Sequence, residues 1–427
     1  MKKSAMQSQV EGARSSWLDK ANPDMTQVEE LYKEALDSIL DHHCSNNNKS
    51  KKRKLEEQEL AAQLELECWE RLTVEQYCMI LCQSGRANQA KPWLQRLGCT
   101  CRLAQAVLDY PTDTHTDTHD HDHNSDTTTC SIACHAWDNL LSPCQLQHMQ
   151  DVFNDPQADY WLQHNYQVEP PSPYFSYIIP LQRQHNSNSN NSNMTVDTKF
   201  GALGTIIQTL HSHFLPQFPK LATASMVELW AHNRPHPTGH QFHFDSDNEG
   251  QGRIIKNPIM TIILYLSTTC GGGPSVVTNQ SLVSKNLATR AVLSHPSTPG
   301  RVVAFAGNLL HGVIPGKYSP STDPTTTHNN NTNSSSSHRR VTVMLAYWRR
   351  IRVRPSDKPG AARPFPNKGD SPWSDLLVRP QSANDNESPP PVEQHPIPID
   401  HVYETLDGEP WTKAMGFPEY DQVFQGF

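Results

Sequence analysis

The chain has 427 residues, enough for two or three domains, and carries 36 lysines and arginines against 44 aspartates and glutamates, a net charge of −8. An acidic chain is poorly suited to nonspecific binding of DNA or RNA, which depends on neutralising phosphates. Only 36% of the residues are hydrophobic, and no run approaches the roughly 18 apolar residues that a membrane-spanning helix needs.

The N-terminal residues include two lysines but no apolar segment, so we expect no secretory signal. Without a signal, the ten cysteines are predicted to be thiols rather than a disulfide framework. We therefore expect an intracellular protein, with the cytoplasm favoured over the nucleus despite the short basic run KKRK at 51–54.

Composition divides the chain into four regions, 1–110, 111–135, 136–355 and 356–427. The first is predicted to be helical, because apolar residues recur there at spacings of three and four, and it is a candidate surface for a protein partner. The second is a linker rich in His, Asp and Thr, the third is a folded domain, and the fourth is a Pro-rich extension. Within the first region, helices are predicted near Leu55–Cys82 and Lys91–Leu108.

The third region combines a few helices with many short strands, and low-complexity insertions interrupt it at 184–193 and 319–338. Two helices are predicted, Ser142–Phe153, with Ser142 as its N-cap, and Phe200–Phe214. The predicted strands are Met226–Ala231, Gln241–Asp245, Ile259–Ser267, Ser275–Thr278, Arg301–Ala306 and Val341–Trp348. Short strands separated by turns that contain Gly and Pro indicate a β-sandwich or barrel. Because helices are predicted beside these strands, the fold class is α+β.

The segment GHQFHFDSDNEG (239–250) carries the clearest chemical signal. In a strand over Gln241–Asp245, the side chains of His243 and Asp245 share one face and can bind one metal ion. A third ligand must come from elsewhere, and His311, in NLLHGVIPG, is the candidate. Two histidines and one carboxylate leave other metal positions open, as in non-haem Fe(II) oxygenases, whereas a structural zinc site has four protein ligands.

Four segments then follow one another in a fixed order: His243-Phe244-Asp245, the strand MTIILYLS with its glycine turn, His311, and the strand that Arg340 opens. This order resembles the 2-oxoglutarate- and Fe(II)-dependent dioxygenases of prolyl-hydroxylase type. The resemblance covers about 160–350 and implies a double-stranded β-helix (jelly-roll) core. It also implies Fe(II) as cofactor, 2-oxoglutarate and O₂ as co-substrates, ascorbate as a reductant, and hydroxylation, or demethylation by hydroxylation, with release of succinate and CO₂.

The resemblance assigns the far carboxylate of 2-oxoglutarate to Arg340, assisted by Thr342 on the same strand face. Arg340 lies 29 residues after His311, which is longer than the family spacing of roughly ten, but the 20-residue tract 319–338 accounts for the excess. Arg339 is a competing anchor. Tyr265 is a candidate contact to 2-oxoglutarate, although core packing is the simpler explanation.

Several neighbours of the motif could contact substrate or merely belong to a polar turn: His232, Arg234, His236, His240, Gln241, Asp247 and Glu249. Two other functions stay open: a noncatalytic jelly-roll scaffold, and a cupin-type metalloenzyme that uses the same ligands without 2-oxoglutarate. The primary substrate is not identified by the sequence, and a protein side chain or small molecule is favoured over nucleic acid.

Overall fold

The structure is a computed structural model. It describes residues 71–110, 132–168, 174–184, 193–235, 238–247, 255–267, 272–283, 287–296, 298–317, 339–355, 360–380, 389–416 and 418–426. The linker tract and the two low-complexity insertions therefore fall almost entirely outside the described residues, as do residues 1–70 of the predicted helical region.

Helices and strands alternate irregularly along the described chain. The helices are α1 (71–83), α2 (Ala87–Arg96), α3 (Gln105–Leu108), α4 (Pro143–Phe153), α5 (Asp159–Gln163), α6 (Gly201–Phe214) and α7 (Pro372–Leu377). The strands are β1 (Cys101–Leu103), β2 (Cys134–Asp138), β3 (Tyr177–Gln184), β4 (Asn193–Val196), β5 (Met226–Pro235), β6 (His240–His243), β7 (Met260–Tyr265), β8 (Ser275–Ser281), β9 (Ala291–Ser294), β10 (Val302–Ala306), β11 (Leu309–Val313), β12 (Arg339–Trp348), β13 (Arg363–Pro364), β14 (Val392–Gln394), β15 (Ile397–Ile399), β16 (Tyr403–Thr405) and β17 (Val423–Phe424). This mixture confirms the prediction of combined helix and sheet.

Three sheets organise these strands. The largest has nine strands, in the order β13-β3-β5-β12-β7-β10-β2-β14 with β4 paired to β3. The second has five, in the order β15-β9-β8-β11-β6, and the third is a small sheet of β16-β1-β17. Nearly all pairings are antiparallel; β13 with β3 and β1 with β17 are parallel.

Alternation along β12 shows what each face of the nine-stranded sheet contacts. Val341, Val343 and Leu345 pack in one cluster with the apolar faces of α4, α5, α6 and α7. Met344 and Ala346 belong to another cluster, which also contains residues of the five-stranded sheet such as Val277. The nine-stranded sheet is thus covered by helices on one face and by the five-stranded sheet on the other.

Two of the four helices in this layer, α4 and α6, were predicted from the sequence. Ser142 caps α4, because its hydroxyl accepts a hydrogen bond from the backbone N–H of Gln145 and the Gln145 side chain accepts one from the Ser142 N–H. Pro143 occupies the first helical position, where its missing N–H costs nothing. The predicted helix at Phe200–Phe214 is α6, one residue shorter at its start.

The outer face of the five-stranded sheet is covered by the N-terminal helices and by the end of the chain. One cluster joins Leu94 and Val107 to Val276 and Leu293 of this sheet and to Phe424 of β17. The single helix predicted at Lys91–Leu108 is wrong between Arg96 and Gln105: α2 ends at Arg96, and Gln105–Leu108 forms the separate short helix α3. Gly98, with φ of +81°, follows the last turn of α2, and the chain then forms β1.

The C-terminal segment adds strands to all three sheets. β14 extends the nine-stranded sheet at β2, and β15 extends the five-stranded sheet at β9. β16 and β17 enclose β1 from both sides. None of the helices among the described residues combines the length and apolarity that a membrane-spanning helix needs, and no disulfide joins the cysteines within those residues.

A buried ion pair fixes β1 to β16, with Arg102 Nη1 2.7 Å from Glu404 Oε1. The substitution Glu404→Gln leaves the Arg102 charge buried without its counter-charge, and we expect it to lower the free energy of unfolding by about 3 kcal/mol. Glu75→Gln, at the more exposed Arg71–Glu75 pair, is the matched control and should cost less than about 1 kcal/mol. Equilibrium unfolding in urea measures the free energy of unfolding of both variants. Equal losses in the two would contradict the conclusion that the buried Arg102–Glu404 pair fixes β1 to β16.

Candidate metal centre

The edge of the five-stranded sheet brings two histidines together. β6 pairs with β11 so that His243 lies directly opposite His311, and their ring centroids are 4.3 Å apart. His311 lies within β11, a strand that the sequence analysis did not predict. Close approach is possible because residue 312 is glycine: a Cβ there would lie 2.9 Å from the carbonyl oxygen of His240.

Asp245 completes the group, although not in the manner predicted. β6 ends at His243, so Asp245 lies two residues beyond the strand rather than on its face. Its Oδ1 is nevertheless 3.7 Å from Nε2 of His243 and 3.7 Å from Nε2 of His311. One ligand atom from each residue falls within 4.8 Å of the others, so the three side chains could hold one metal ion.

Hydrogen bonds orient all three side chains toward the shared point. Nδ1 of His243 lies 2.8 Å from the carbonyl oxygen of Gln241, and Nδ1 of His311 lies 3.0 Å from that of Leu309. A carbonyl oxygen only accepts, so each Nδ1 carries the proton and each Nε2 presents a lone pair. The hydroxyl of Thr261 donates to Oδ2 of Asp245 at 2.7 Å, which leaves Oδ1 facing the two rings.

The charge state of His243 also suits a ligand. Partial burial, followed by the neighbouring His311, lowers the pKa of His243 to about 4, while Asp245 opposes the shift. The imidazole is therefore neutral at pH 7, as a metal ligand must be. Two imidazoles and one carboxylate on one side of a point fit an ion with open coordination positions better than a closed structural site.

A small cavity of about 40 Å³ lies between the sheets beside these residues. His243 and His311 line one side of it, and Arg340 and Thr342 line another. Arg340 and Thr342 share a face of β12, as predicted, and are 4% and 5% exposed. The structure thus brings Arg340, Thr342 and the two histidines to one cavity.

The two neighbouring arginines differ in direction. Arg339 donates from Nε to the side-chain oxygen of Asn233 and from Nη2 to its carbonyl, and it does not line the cavity. To the described residues, the Arg340 guanidinium donates one long hydrogen bond, from Nη1 to the carbonyl oxygen of Gly273 at 3.4 Å. Among the described residues no carboxylate forms an ion pair with Arg340. Burial lowers its pKa to about 10, so the guanidinium stays charged at neutral pH.

Tyr265 is almost fully buried at 1% exposure. Its hydroxyl lies 2.6 Å from Oγ of Ser275, and the ring is part of the apolar cluster between the sheets. Ser275 rather than Tyr265 lines the small cavity. The role of Tyr265 as a contact to 2-oxoglutarate stays a prediction.

His243 and Asp245 also line a larger cavity, of about 520 Å³. Three of the motif's uncertain neighbours, His232, Arg234 and His240, line both cavities. Burial, ahead of nearby cations and histidines, lowers the pKa of His232 and His240 well below the ordinary range, so both rings are neutral. Asp247 instead pairs with Lys256 at 3.2 Å, while His236 and Glu249 lie outside the described residues.

Sequence reasoning missed several residues of this region. Thr261 is the one polar residue besides Tyr265 in an apolar strand, and Ser275 and Glu228 lie beside apolar residues in strands of mixed character, so none of the three forms a motif. The available signal was that a polar side chain at a buried strand position must find a partner.

The chain matches no family model and no curated protein. Among solved structures, it is similar to a prolyl-4-hydroxylase from Pseudomonas putida, with 12% identity, coverage of 52% of this chain and 90% of that chain, and a TM-score of 0.28. A viral collagen prolyl hydroxylase from Paramecium Bursaria Chlorella virus-1, in its 2OG complex, has 12% identity, coverage of 50% and 95%, and a TM-score of 0.26.

HygX from Streptomyces hygroscopicus, with nickel and 2-oxoglutarate bound, has 10% identity, coverage of 51% and 82%, and a TM-score of 0.25. The solved structures that this chain resembles are thus prolyl hydroxylases and other 2OG-Fe(II) oxygenases. These proteins belong to the family that the sequence motifs resemble. Their low identities and TM-scores leave the function to be inferred from the site itself.

Thr261→Val removes the hydrogen bond that orients Asp245 while preserving the shape of the side chain. We expect metal affinity to fall about 10- to 100-fold, because the partners of ligating carboxylates have effects of this size. Titration with Co(II), followed by its visible absorption, measures the change. Thr298→Val is the matched control, since the Thr298 hydroxyl donates to Asp138, a carboxylate outside the site. Unchanged affinity in Thr261→Val would contradict the arrangement.

Proposed function

We propose that this chain is an Fe(II)- and 2-oxoglutarate-dependent dioxygenase with a double-stranded β-helix core. The fold supports this because a larger and a smaller, mostly antiparallel sheet pack face to face, with His243, Asp245 and His311 at the edge of the space between them. The reaction consumes O₂, 2-oxoglutarate and a substrate C–H bond, and yields a C–OH group, succinate and CO₂. When the hydroxylated carbon is bound to nitrogen, loss of that carbon makes the outcome a demethylation.

His243, Asp245 and His311 would hold the metal, and bound Fe(II) would supply the activation of O₂. The protein's part is to fix the ligand atoms before the metal arrives. The backbone carbonyls at Gln241 and Leu309 set the histidine tautomers, and Thr261 sets the Asp245 carboxylate. Ascorbate would keep the iron reduced.

The observation that carries the proposal is the buried Arg340 guanidinium. An uncompensated buried charge is costly, so a cation at 4% exposure with no carboxylate partner in the described chain indicates an anionic ligand. A guanidinium can give a carboxylate two parallel charged hydrogen bonds. The far carboxylate of 2-oxoglutarate would occupy this place, with Thr342 and Ser275 as hydroxyl partners.

A second guanidinium adds positive charge at the same end of the interior. Arg234 lies directly opposite Arg340 in the pairing of β5 with β12 and lines the same cavity. Its Nη1 donates to the carbonyl of Gly239 at 3.0 Å, whereas its buried Nε has no hydrogen-bond partner among the residues that the structure describes. Two adjacent cations suit a dicarboxylate better than a neutral ligand.

The decisive test is succinate formation from 2-oxoglutarate by the full chain with Fe(II), ascorbate and O₂. Enzymes of this type turn over slowly without their primary substrate, so the substrate need not be known. We expect His243→Ala to abolish succinate formation. Arg340→Met should weaken 2-oxoglutarate binding about 10- to 100-fold, because it removes charged hydrogen bonds worth about 1.5–3 kcal/mol. Arg339→Met is the control, since Arg339 contacts Asn233 outside the cavity.

The alternatives give different results in the same samples. Iron binding without 2-oxoglutarate binding would favour a cupin-type metalloenzyme. Binding of neither would leave a noncatalytic jelly-roll scaffold. If Arg340→Met and Arg339→Met weaken 2-oxoglutarate binding equally, the inference that Arg340 binds its carboxylate is wrong.

A further inference from the structure

A buried carboxylate that is not one of the candidate metal ligands lies among the aromatic side chains of the larger cavity. Glu228, on the inner face of β5, is 4% exposed and lines that cavity. Its Oε1 accepts hydrogen bonds from the hydroxyls of Ser176 at 2.5 Å and Tyr174 at 3.4 Å. Hydroxyl donors compensate part of the cost of burying a carboxylate, but they supply no counter-charge.

Within the described part of the chain, no lysine, arginine or histidine forms an ion pair with Glu228. Burial raises the pKa of Glu228 to about 7, a value that already includes the opposing effect of the Ser176 hydroxyl and a smaller upward contribution from Asp245. The carboxylate thus lies close to its titration midpoint at neutral pH. A cation placed beside it would favour the charged form.

The surrounding surface is built from aromatic rings. Six aromatic side chains line the cavity: Tyr166, Tyr174, Phe175, Trp230, Phe244 and Trp348. Tyr174 and Trp230 meet edge to face with centroids 6.0 Å apart, and Tyr174 is 37% exposed, so this wall reaches the protein surface. Aromatic faces attract cations, and the attraction is stronger where water is excluded.

Strand register places Glu228 at a useful distance from the metal centre. Thr261 on β7 pairs with Ala346 on β12, and Ala346 pairs with Glu228 on β5, so the three residues form one row across the sheet. Two strand spacings separate the ends of this row by about 10 Å. Thr261 bonds Asp245, so a group held at Glu228 lies roughly that far from the metal ligands.

The charges of the interior are separated along β5. Arg234 is six residues beyond Glu228 on the same strand face, about 20 Å away at 3.3 Å per residue. The arginine end complements an anion, and the end with Glu228 complements a cation. The two ligands of a two-substrate reaction can therefore occupy opposite ends without competing.

We propose that the primary substrate carries a positively charged nitrogen, which pairs with Glu228 and lies against the rings of Trp230 and Trp348. This rests on the proposed function for the reaction at the metal, but binding of the cation requires neither iron nor 2-oxoglutarate. An amine or guanidinium group is the recognised chemistry, and both a basic protein side chain and a small amine supply it.

The test is calorimetric binding of n-butylammonium and its neutral counterpart n-butanol to the full chain at pH 8, where Glu228 is ionised. We expect butylammonium to bind wild type at least about tenfold more tightly than butanol, as a charged hydrogen bond predicts. Glu228→Gln should lose this preference and bind butanol as wild type does. Gln keeps the oxygen that accepts from Ser176, so the fold should persist, and Glu393→Gln, at an exposed position of β14, is the matched control.

A blocked Gly-Lys-Gly peptide distinguishes the two sources of the cation. Tighter binding of the peptide than of butylammonium indicates a protein side chain, and weaker binding indicates a small amine. Equal binding of butylammonium and butanol to wild type, or unchanged butylammonium binding in Glu228→Gln, overturns the proposal.

The succinate assay separates this proposal from the proposed function. Cation binding that depends on Glu228 in a protein that makes no succinate would leave the cation site standing and reject the dioxygenase. Succinate formation without selective cation binding would support the dioxygenase and reject the cation site.

Discussion

The antiparallel pairing of β6 with β11 is the contact on which the candidate metal centre depends. It places His243 opposite His311 at the free edge of the five-stranded sheet, and glycine at position 312 lets the two backbones approach. Because the ligands come from neighbouring strands rather than from a single loop, their separation is set by hydrogen bonds of the sheet. The Asp245 carboxylate lies outside the strand, and its direction comes from the sheet opposite, through Thr261.

The space between the sheets is unusual in how it distributes charge. Apolar side chains such as Ile263 and Met344 fill its middle, while Arg234 and Arg340 occupy one end and Glu228 the other. Each buried charge would destabilise the empty protein, so ligands of opposite sign should stabilise it. The two charged ends of the interior are better suited to holding two ligands of opposite charge than to close packing of side chains.

Much of the centre could be predicted from the sequence because its signals are local. The closeness of His243 and Asp245 follows from their spacing, although Asp245 lies beyond the end of β6 rather than on its face, and the pair Arg340 and Thr342 follows from strand alternation. The six strands predicted in the folded domain were all found, with shifted ends. The choice of Arg340 over Arg339 agrees with strand alternation, since only Arg340 faces the interior. The catalytic roles themselves stay predictions.

What could not be predicted depends on pairing between distant segments. Strands of two or three residues, such as β1, β16 and β17, are too short for alternation, and their partners lie more than 300 residues apart. The end of α2 was missed although the sequence contains a signal for it. Gly98 follows the last turn of the helix and adopts a backbone conformation that favours glycine. Glu228 gave no motif because its importance lies in the rings around it, which come from several strands and loops.

The way the chain closes on itself also affects how the centre is assembled during synthesis. The backbone N–H of Phe242, beside His243, donates to the side-chain oxygen of Gln425, which lies 183 residues later. At about 5–20 residues per second, translation needs about 10–40 s to make that span. His243 and Asp245 are made at the start of that span and His311 68 residues after His243, so for the remaining time all three candidate ligands exist while the edge strand lacks one of its anchors. In a ribosome-bound intermediate the candidate metal centre should therefore be completed late.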